Sequence, residues 1–308
     1  MSVVIVAGVE MGYRTTEAIL EGGCLVSLIF AYEESMSGAS GYVSFDDLAQ
    51  RYGVAVHKTR DINGPASLAA LRAADPEIVL VLGWSRLIAR EFLDVPRHGV
   101  VGTHPTRLPK HRGRAPIPWT LIHGLAESAL SAFYVDPGVD CGDIIAQRSF
   151  SVEFEDDAQS LYDKIARLQQ ETILELLPAL LEGRAPRVPQ DETQATYWPK
   201  RTPADGVMRW RKSAFDQYNW VRGLTRPYPG AFTFCGGRKL TVWAARYLDN
   251  EPDPAPPGTV LSVESGEALV ACHPGHIALT RVAWETGQDL APEEAGLAVG
   301  QRFKMGEP

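Results

Sequence analysis

Two five-residue runs without a polar side chain, VVIVA at residues 3–7 and IVLVL at residues 78–82, constrain this 308-residue chain more than any other feature. A strand with one wet face alternates apolar and polar residues, so an unbroken run of this kind predicts a strand buried on both faces. Further strand-like segments at 24–30 and 54–56 are separated from these by helical patterns at 45–52 and 66–73, and by a helix opening near Thr15 or Thr16 as its cap. Strands alternating with helices predict a Rossmann-like, doubly wound, mostly parallel α/β sheet. From 157 to 181 apolar residues recur at helical spacing, with Pro178 expected to split the run in two. The Pro-rich, polar stretch 183–200 is expected to be a surface linker. Beyond it comes a strand-like 206–210, then a helix through Phe215, Tyr218, Val221 and Leu224. Short strands are expected at 231–234, 240–245, 258–263, 268–271 and 276–283, with Gly236-Gly237 as a hairpin turn. The expected organisation is therefore a catalytic domain over 1–200, linker included, and a small β-rich, OB-like open barrel over 205–308.

Charge and cysteine usage narrow the function classes. There are 38 acidic residues against 30 basic ones, a net charge of −8 that disfavours a polyanionic partner such as nucleic acid. The four cysteines, Cys24, Cys141, Cys235 and Cys272, are scattered without CxxC spacing, as expected of a chain from a reducing cytoplasm. No run of about 18 apolar residues suggests a membrane span, and the first strand begins without a charged leader. Gly8 and Gly12 do not make a GxGxxG fingerprint, and no Walker A loop is present. Cys272, His273 and His276 lack a fourth ligand nearby, so no metal is expected.

The chemistry concentrates in residues 100–145. A short apolar strand at 99–101 leads to His104, after which Pro105, Pro109, Gly113 and Pro116 hold the chain irregular until a helix resumes near Ile117. His104 then stands at a strand's C-terminal end, where ligands of open α/β sheets bind. A second strand, 130–135, runs into Asp136-Pro-Gly138-Val139-Asp140-Cys-Gly142, a tight loop able to bring Asp140 to His104. Imidazole titrates near neutrality, and a neighbouring carboxylate orients it and supports its charged form. Asp136 and Asp143 also suit plain turn roles, since Asp favours turns.

These residues resemble the motifs of the formyltransferases that use 10-formyltetrahydrofolate. The family's Asn-x-His-Pro-x-x-Leu-Pro-x-x-(Arg)-Gly element corresponds to Gly102-Thr103-His104-Pro105-Thr106-Arg107-Leu108-Pro109-Lys110-His111-Arg112-Gly113, and its Asp-x-Gly-x-Asp-x-Gly-Asp element to residues 136–143. The resemblance implies His104 and Asp140 as the catalytic pair, with Gly102 at the place of the family's Asn. It implies 10-formyltetrahydrofolate as formyl donor, held by Trp84, Arg86, Leu87, Ile88, Asp136, Gly138 and Val139. Within the family the chain is most similar to the formyltransferase domain of a bifunctional polymyxin-resistance enzyme. That likeness implies a nucleotide-linked aminosugar as acceptor, contacted by Met11, Gly12, Arg112, Arg114, Tyr197 and Arg201. The short acidic loop 32–43 argues against a tRNA acceptor stem. Folate deformylation by water, methionyl-tRNA formylation and a catalytically impaired binding module stay open as alternatives, and so does a homodimer. Because Gly102 carries no donor for the formyl oxygen, a lost contact of about 3 kcal/mol must be replaced by water, Thr103 or protonated His104.

Overall fold

In the computed structural model, which describes residues 2–36, 38, 41–249, 251–252, 254–285 and 287–304, the two apolar runs become neighbouring strands that each feed two cores. In β1 (Val3–Ala7) and β4 (Ile78–Leu82), Val3, Ile5, Ala7, Ile78, Leu80 and Leu82 enter a core on one face, while Val4, Val6, Val79 and Val81 enter a second core on the other. Every side chain is spent on a core, which is why neither run contains a polar residue. The first core is covered by α1 (Glu10–Glu21) and α6 (Ala158–Leu181), the second by α3 (Pro65–Ala74) and α4 (Arg90–Leu93). Ile19, Ile173 and Leu180 are fully buried on one side, Leu71 and Phe92 on the other.

The seven-stranded sheet runs β3-β2-β1-β4-β5-β7-β8, adding β2 (Val26–Tyr32), β3 (Ala55–Thr59), β5 (Val100–His104), β7 (Glu127–Tyr134) and β8 (Ile144–Ser151). The first five strands are parallel, whereas β7 and β8 return antiparallel, giving the doubly wound, mostly parallel sheet expected. The chain order reverses between β1 and β4, so the crevice beyond their C-terminal ends is where such a sheet takes a ligand. The remaining helices are α2 (Asp46–Tyr52), α5 (Pro116–Ile122) and α7 (Ala214–Leu224). A two-stranded parallel ribbon pairs β6 (Arg112–Gly113) with β9 (Tyr197–Trp198).

A second five-stranded antiparallel sheet has the order β10-β11-β14-β13-β12, from β10 (Ala231–Cys235), β11 (Arg238–Asp249), β12 (Val260–Glu264), β13 (Glu267–Ala271) and β14 (His276–Trp284). Gly236-Gly237 joins β10 to β11 with both residues at positive φ, as a tight two-residue hairpin requires. The chain at 301–304 bridges both edges of this sheet, Thr259 to Arg302 and Phe234 to Lys304, and so links the open edges toward a barrel. The chain divides into two compact units. One contains residues 2–116, Glu127–Ser151 and Tyr162–Pro199, and the other Ile117–Ala126, Val152–Leu161 and residues 200–304.

Several local expectations change. Helix α1 begins at Glu10, not near Thr15, and Thr15 and Thr16 lie buried inside it, their hydroxyls bonded back to the carbonyls of Met11 and Gly12. Helix α6 runs unbroken through Pro178, whose missing N–H leaves a carbonyl on Leu174, a residue on the exposed side. At 206–210 only a single bridge, Val207 to Phe232, replaces the expected strand. The stretch 183–200 is not a free linker, because β9 lies within it. Among the described residues no helix is long and apolar enough to cross a membrane.

Gly12 sets how closely α1 approaches the sheet. A Cβ there would lie 2.2 Å from the Leu82 carbonyl oxygen and 2.6 Å from Ala7 Cβ, so the helix sits on β4 at a distance only glycine permits. Gly12→Ala is expected to cost about 3 kcal/mol in urea unfolding, whereas Gly22→Ala, where the added carbon meets only ordinary contacts, should stay within about 0.5 kcal/mol of wild type.

Candidate active site

Strand alternation decides what faces the end of β5. Val101 and Thr103 point into the α1 and α6 side: Val101 is core, and Thr103 Oγ1 donates to Gln169 Oε1 at 2.6 Å. Gln169 in turn donates to the Met11 carbonyl and to Thr15 Oγ1. Gly102 and His104 therefore share the opposite face, and Thr103 is not available to replace the donor that Gly102 lacks. A Cβ built on Gly102 would stand 3.1 Å from Val135 Cγ2, so a side chain enters there only if that methyl yields by a few tenths of an ångström.

His104 is buried at 6% exposure. Its Nε2 donates to the His111 carbonyl at 3.0 Å, and its Nδ1 faces Asp140 Oδ2 at 3.6 Å. The backbone carbonyl, not the carboxylate, fixes the tautomer, leaving Nδ1 as the basic atom. Asp140 Oδ2 also accepts the Gly113 N–H at 2.7 Å. The loop 105–115 thus holds both groups, one through His111 O and the other through Gly113 N. His111, Ala115 and Asp140 have φ of 63°, 52° and 49°, left-handed values uncommon for residues with a side chain, though His and Asp adopt them more readily than most, and the contacts of the two loops constrain them there.

The constraint is Arg112. Its side chain is fully buried, and all five N–H groups are engaged: Nε and Nη2 with Gln190 Oε1, Nη1 with Glu192 Oε2 and Tyr197 Oη, Nη2 with Glu192 Oε1. Gln190 Nε2 donates to the Asp140 carbonyl at 2.9 Å and the Gly142 carbonyl at 2.7 Å. The Arg112 bonds hold the Glu192 carboxyl below the usual carboxylate range, and the same pair raises the guanidinium. Thr196 and Trp198 complete the brace: His111 N–H donates to Thr196 Oγ1, Arg112 N–H to Thr196 O, Arg114 N–H to Trp198 O, and the His111 and Trp198 rings stack at 4.1 Å.

The acceptor contacts expected from resemblance are redistributed accordingly. Arg112 has no N–H left for a phosphate and belongs to the framework. Met11 is also framework, buried, with its N–H on Tyr162 Oη at 2.8 Å, and burial pushes that phenol up to about 12. Gly12 is the close contact with Leu82 described above. Arg114 is exposed, and Tyr197 is 58% exposed with its hydroxyl on Arg112. Arg201 belongs to the second unit. Its guanidinium lies between the Trp119 and Trp220 rings, 4.7 Å from each, and donates to the Asp205 carbonyl, while burial lowers its pKa.

At the C-terminal end of β4 the Trp84 indole stacks on Tyr32 at 4.1 Å, and its Nε1 is buried without a partner. Tyr32 Oη bonds the Ser85 N–H and hydroxyl, while Asn63 clamps the loop through the Leu87 carbonyl and the Ala89 N–H. Ile88 is buried, Leu87 is 60% exposed, and Arg86 donates to the Arg60 carbonyl. Asp136, Gly138 and Val139 form the exposed part of the second loop. The acidic loop is less negative than its sequence suggests, because Glu33 pairs with Arg60 and Glu34 with Lys58. Among the described residues no group of three or more His, Cys, Asp or Glu is placed to hold a metal ion. Sequence reasoning missed Gln190, Glu192, Tyr32, Asn63 and Gln169, whose partners lie far away along the chain.

Because Glu192 is lowered in the folded protein, its stabilisation is present above the ordinary carboxylate range and is lost as pH falls through its folded value. Glu192→Gln should therefore lower the urea midpoint at pH 7, leaving a buried guanidinium without its counter-charge, and the gap from wild type should close in acid. A gap that stays constant with pH would show that the pair contributes nothing.

The family model described as formyl transferase matches residues 27–177, and the one described as formyl transferase, C-terminal domain, matches residues 200–296. The chain is 32% identical over 298 residues to a methionyl-tRNA formyltransferase of Caldanaerobacter subterraneus subsp. tengcongensis, covering 96% of each sequence. The crystal structure of WlaRD, a sugar 3N-formyl transferase in the presence of dTDP and 5-N-formyl-THF, superposes with a TM-score of 0.69 at 15% identity, over 94% of this chain and 99% of that one. The N-formyltransferase of Helicobacter canadensis in complex with folinic acid and dTDP-3-aminofucose gives 0.67 at 15% identity, over 90% and 98%. At that identity the two structures speak for the fold, while the near full-length match at 32% identity, with both domain models in order, shows descent: this chain belongs to the formyltransferase family.

Proposed function

We propose that this protein transfers a formyl group from 10-formyltetrahydrofolate to the amine of a nucleotide-linked aminosugar. The observation that carries the transfer chemistry is the geometry of His104, with Nε2–H tied to a carbonyl and Nδ1 turned to the Asp140 carboxylate. An acceptor amine attacking the formyl carbon forms a C–N bond and an oxyanion, and its N–H proton passes to Nδ1, where Asp140 stabilises the imidazolium. Collapse of the tetrahedral carbon breaks the bond to the folate nitrogen, which leaves as a neutral amine after taking that proton. The donor fits the chain at the β4 loop. An orphaned Trp84 N–H beside an exposed Leu87 suits a flat heterocycle with acceptor atoms, and Asp136, Gly138 and Val139 lie exposed for the rest of it.

The acceptor reading is supported by the net charge of −8 and by the Tyr197, Arg201 and Asp205-Gly206 pattern. The guanidinium of Arg201, with one N–H committed to a carbonyl and a face on each indole, remains suited to an anionic group. Methionyl-tRNA formylation is the second reading, favoured by the 32% identity over 96% of both sequences and by the paired charges of the acidic loop. Turnover of 10-formyltetrahydrofolate with a panel of aminosugar nucleotides, with methionyl-tRNA and with no acceptor separates these from deformylation. Turnover confined to methionyl-tRNA would replace the sugar reading.

His104→Ala and Asp140→Ala should each lower transfer by orders of magnitude, with the double variant little worse than either. Multiplicative losses would sink the assignment of the pair as one unit. Gly102→Asn should be hindered by the 3.1 Å approach to Val135, so the donor is best restored together with Val135→Ala. The double substitution should raise amine transfer by about tenfold to a hundredfold and suppress acceptor-free hydrolysis. No change in either rate would make Gly102 a position without influence on the reaction.

A further inference from the structure

We propose that Gln190, which lies on neither motif, is a positioning residue that holds Asp140 in the backbone conformation from which its carboxylate meets His104. The inference rests on the formyl-transfer reading of that pair and adds a residue to it. Asp140 stands at φ 49°, a left-handed conformation that Asp adopts more readily than most residues but does not prefer, and three hydrogen bonds hold it there. The Gln190 amide nitrogen donates to Asp140 O at 2.9 Å and to Gly142 O at 2.7 Å, and the Asp140 side chain accepts Gly113 N–H at 2.7 Å.

These contacts close a ring. Gln190 Oε1 accepts from Arg112 Nε and Nη2, and Gly113 is the next residue after Arg112. The path from Arg112 through its own side chain to Gln190, on to the Asp140 backbone, out along the Asp140 side chain and back to Gly113 returns to its start. Arg112 thus ties the loop that carries His111 and Gly113 to the loop that carries Asp140, and the Gln190 amide is the joint between them. The joint has two halves with separate chemistry: its oxygen serves Arg112, and its nitrogen serves Asp140. A glutamate keeps the first half and abolishes the second, since a carboxylate still accepts from the guanidinium but turns an oxygen toward two carbonyl oxygens.

Gln190→Glu and Gln190→Ala distinguish the roles in the full-length protein. With 10-formyltetrahydrofolate and whichever acceptor the wild type uses, Gln190→Glu, which keeps the contact to Arg112, should lose about tenfold or more in kcat with KM unchanged and should retain more Tm than Gln190→Ala, which gives up both halves of the joint. In an Asp140→Asn background, Gln190→Glu should change kcat by less than about twofold, because the group it positions is already gone. A crystal structure of Gln190→Glu should show residue 140 out of the left-handed region or its bond to Gly113 N–H broken. Wild-type kcat in Gln190→Glu, a loss that multiplies fully with Asp140→Asn, or an unmoved Asp140 in the crystal would each overturn the proposal. A wild-type protein inactive with every acceptor would count against the proposed reaction alone, and the crystallographic arm would then decide the role of Gln190.

Discussion

A guanidinium sealed from water with every N–H bonded is the fixed point of the N-terminal unit. Placing such a charge in a protein interior costs several kcal/mol unless its counter-charge and remaining donors are matched. Arg112 meets that condition through a two-pronged pairing with Glu192, Gln190 Oε1 and Tyr197 Oη. A lysine would offer one point charge and three donors, so the planar fork is what the geometry uses. Its partners come from residues 190–197 while the residue itself sits beside His104, so the bond closes a loop of some eighty residues across the sheet edge. What looks in sequence like a connecting segment braces both the 111–114 loop and the Asp140 loop.

From that anchor the site geometry follows in short steps. Thr196 and Trp198 receive the backbone of residues 111–114 as a parallel ribbon, which fixes where the His111 carbonyl and the Gly113 N–H point. The first sets the His104 tautomer and the second catches the Asp140 carboxylate. Left-handed backbone at His111, Ala115 and Asp140 is concentrated in the two loops that meet at His104.

The parts of the molecule governed by local periodicity were legible in the sequence. β1 and β4 announce themselves because two-sided burial removes every polar residue, and the strands of the second sheet follow from alternation and the Gly236-Gly237 turn. That Asp140 comes to face His104, 3.6 Å from its Nδ1, was legible because each sits in a motif dense with Pro and Gly. Arg112 was visible but read as an acceptor contact, since nothing in a sequence tells a guanidinium facing water from one whose partners lie 78 and 80 residues away. Gln190 was invisible for the same reason: an amide in a polar stretch has no periodic signature. Thr15 misled in the opposite way, its cap-like identity overridden by the close packing of α1 on β4 that Gly12 allows.

The departure at Gly102 gains meaning from the strand around it. In a fixed pleat Gly102 shares its face with His104, and Thr103 is turned to Gln169, so the neighbouring hydroxyl is barred from the formyl oxygen by the backbone itself. Val135 Cγ2 would stand 3.1 Å and the Phe133 ring 3.6 Å from a Cβ at this position, so a carboxamide enters only if the valine methyl yields. In the proposed transfer, with His104 as base, the charge developing on the formyl oxygen is then met by a solvent molecule or by the proton that Nδ1 acquires from the amine. In the second case donor and base become one group acting in sequence: His104 first accepts the proton and then, as imidazolium beside Asp140, supplies the field that the oxyanion needs. A site built so ties oxyanion stabilisation to the arrival of an amine proton, and its preference for amine over water depends on how firmly Asp140 is held.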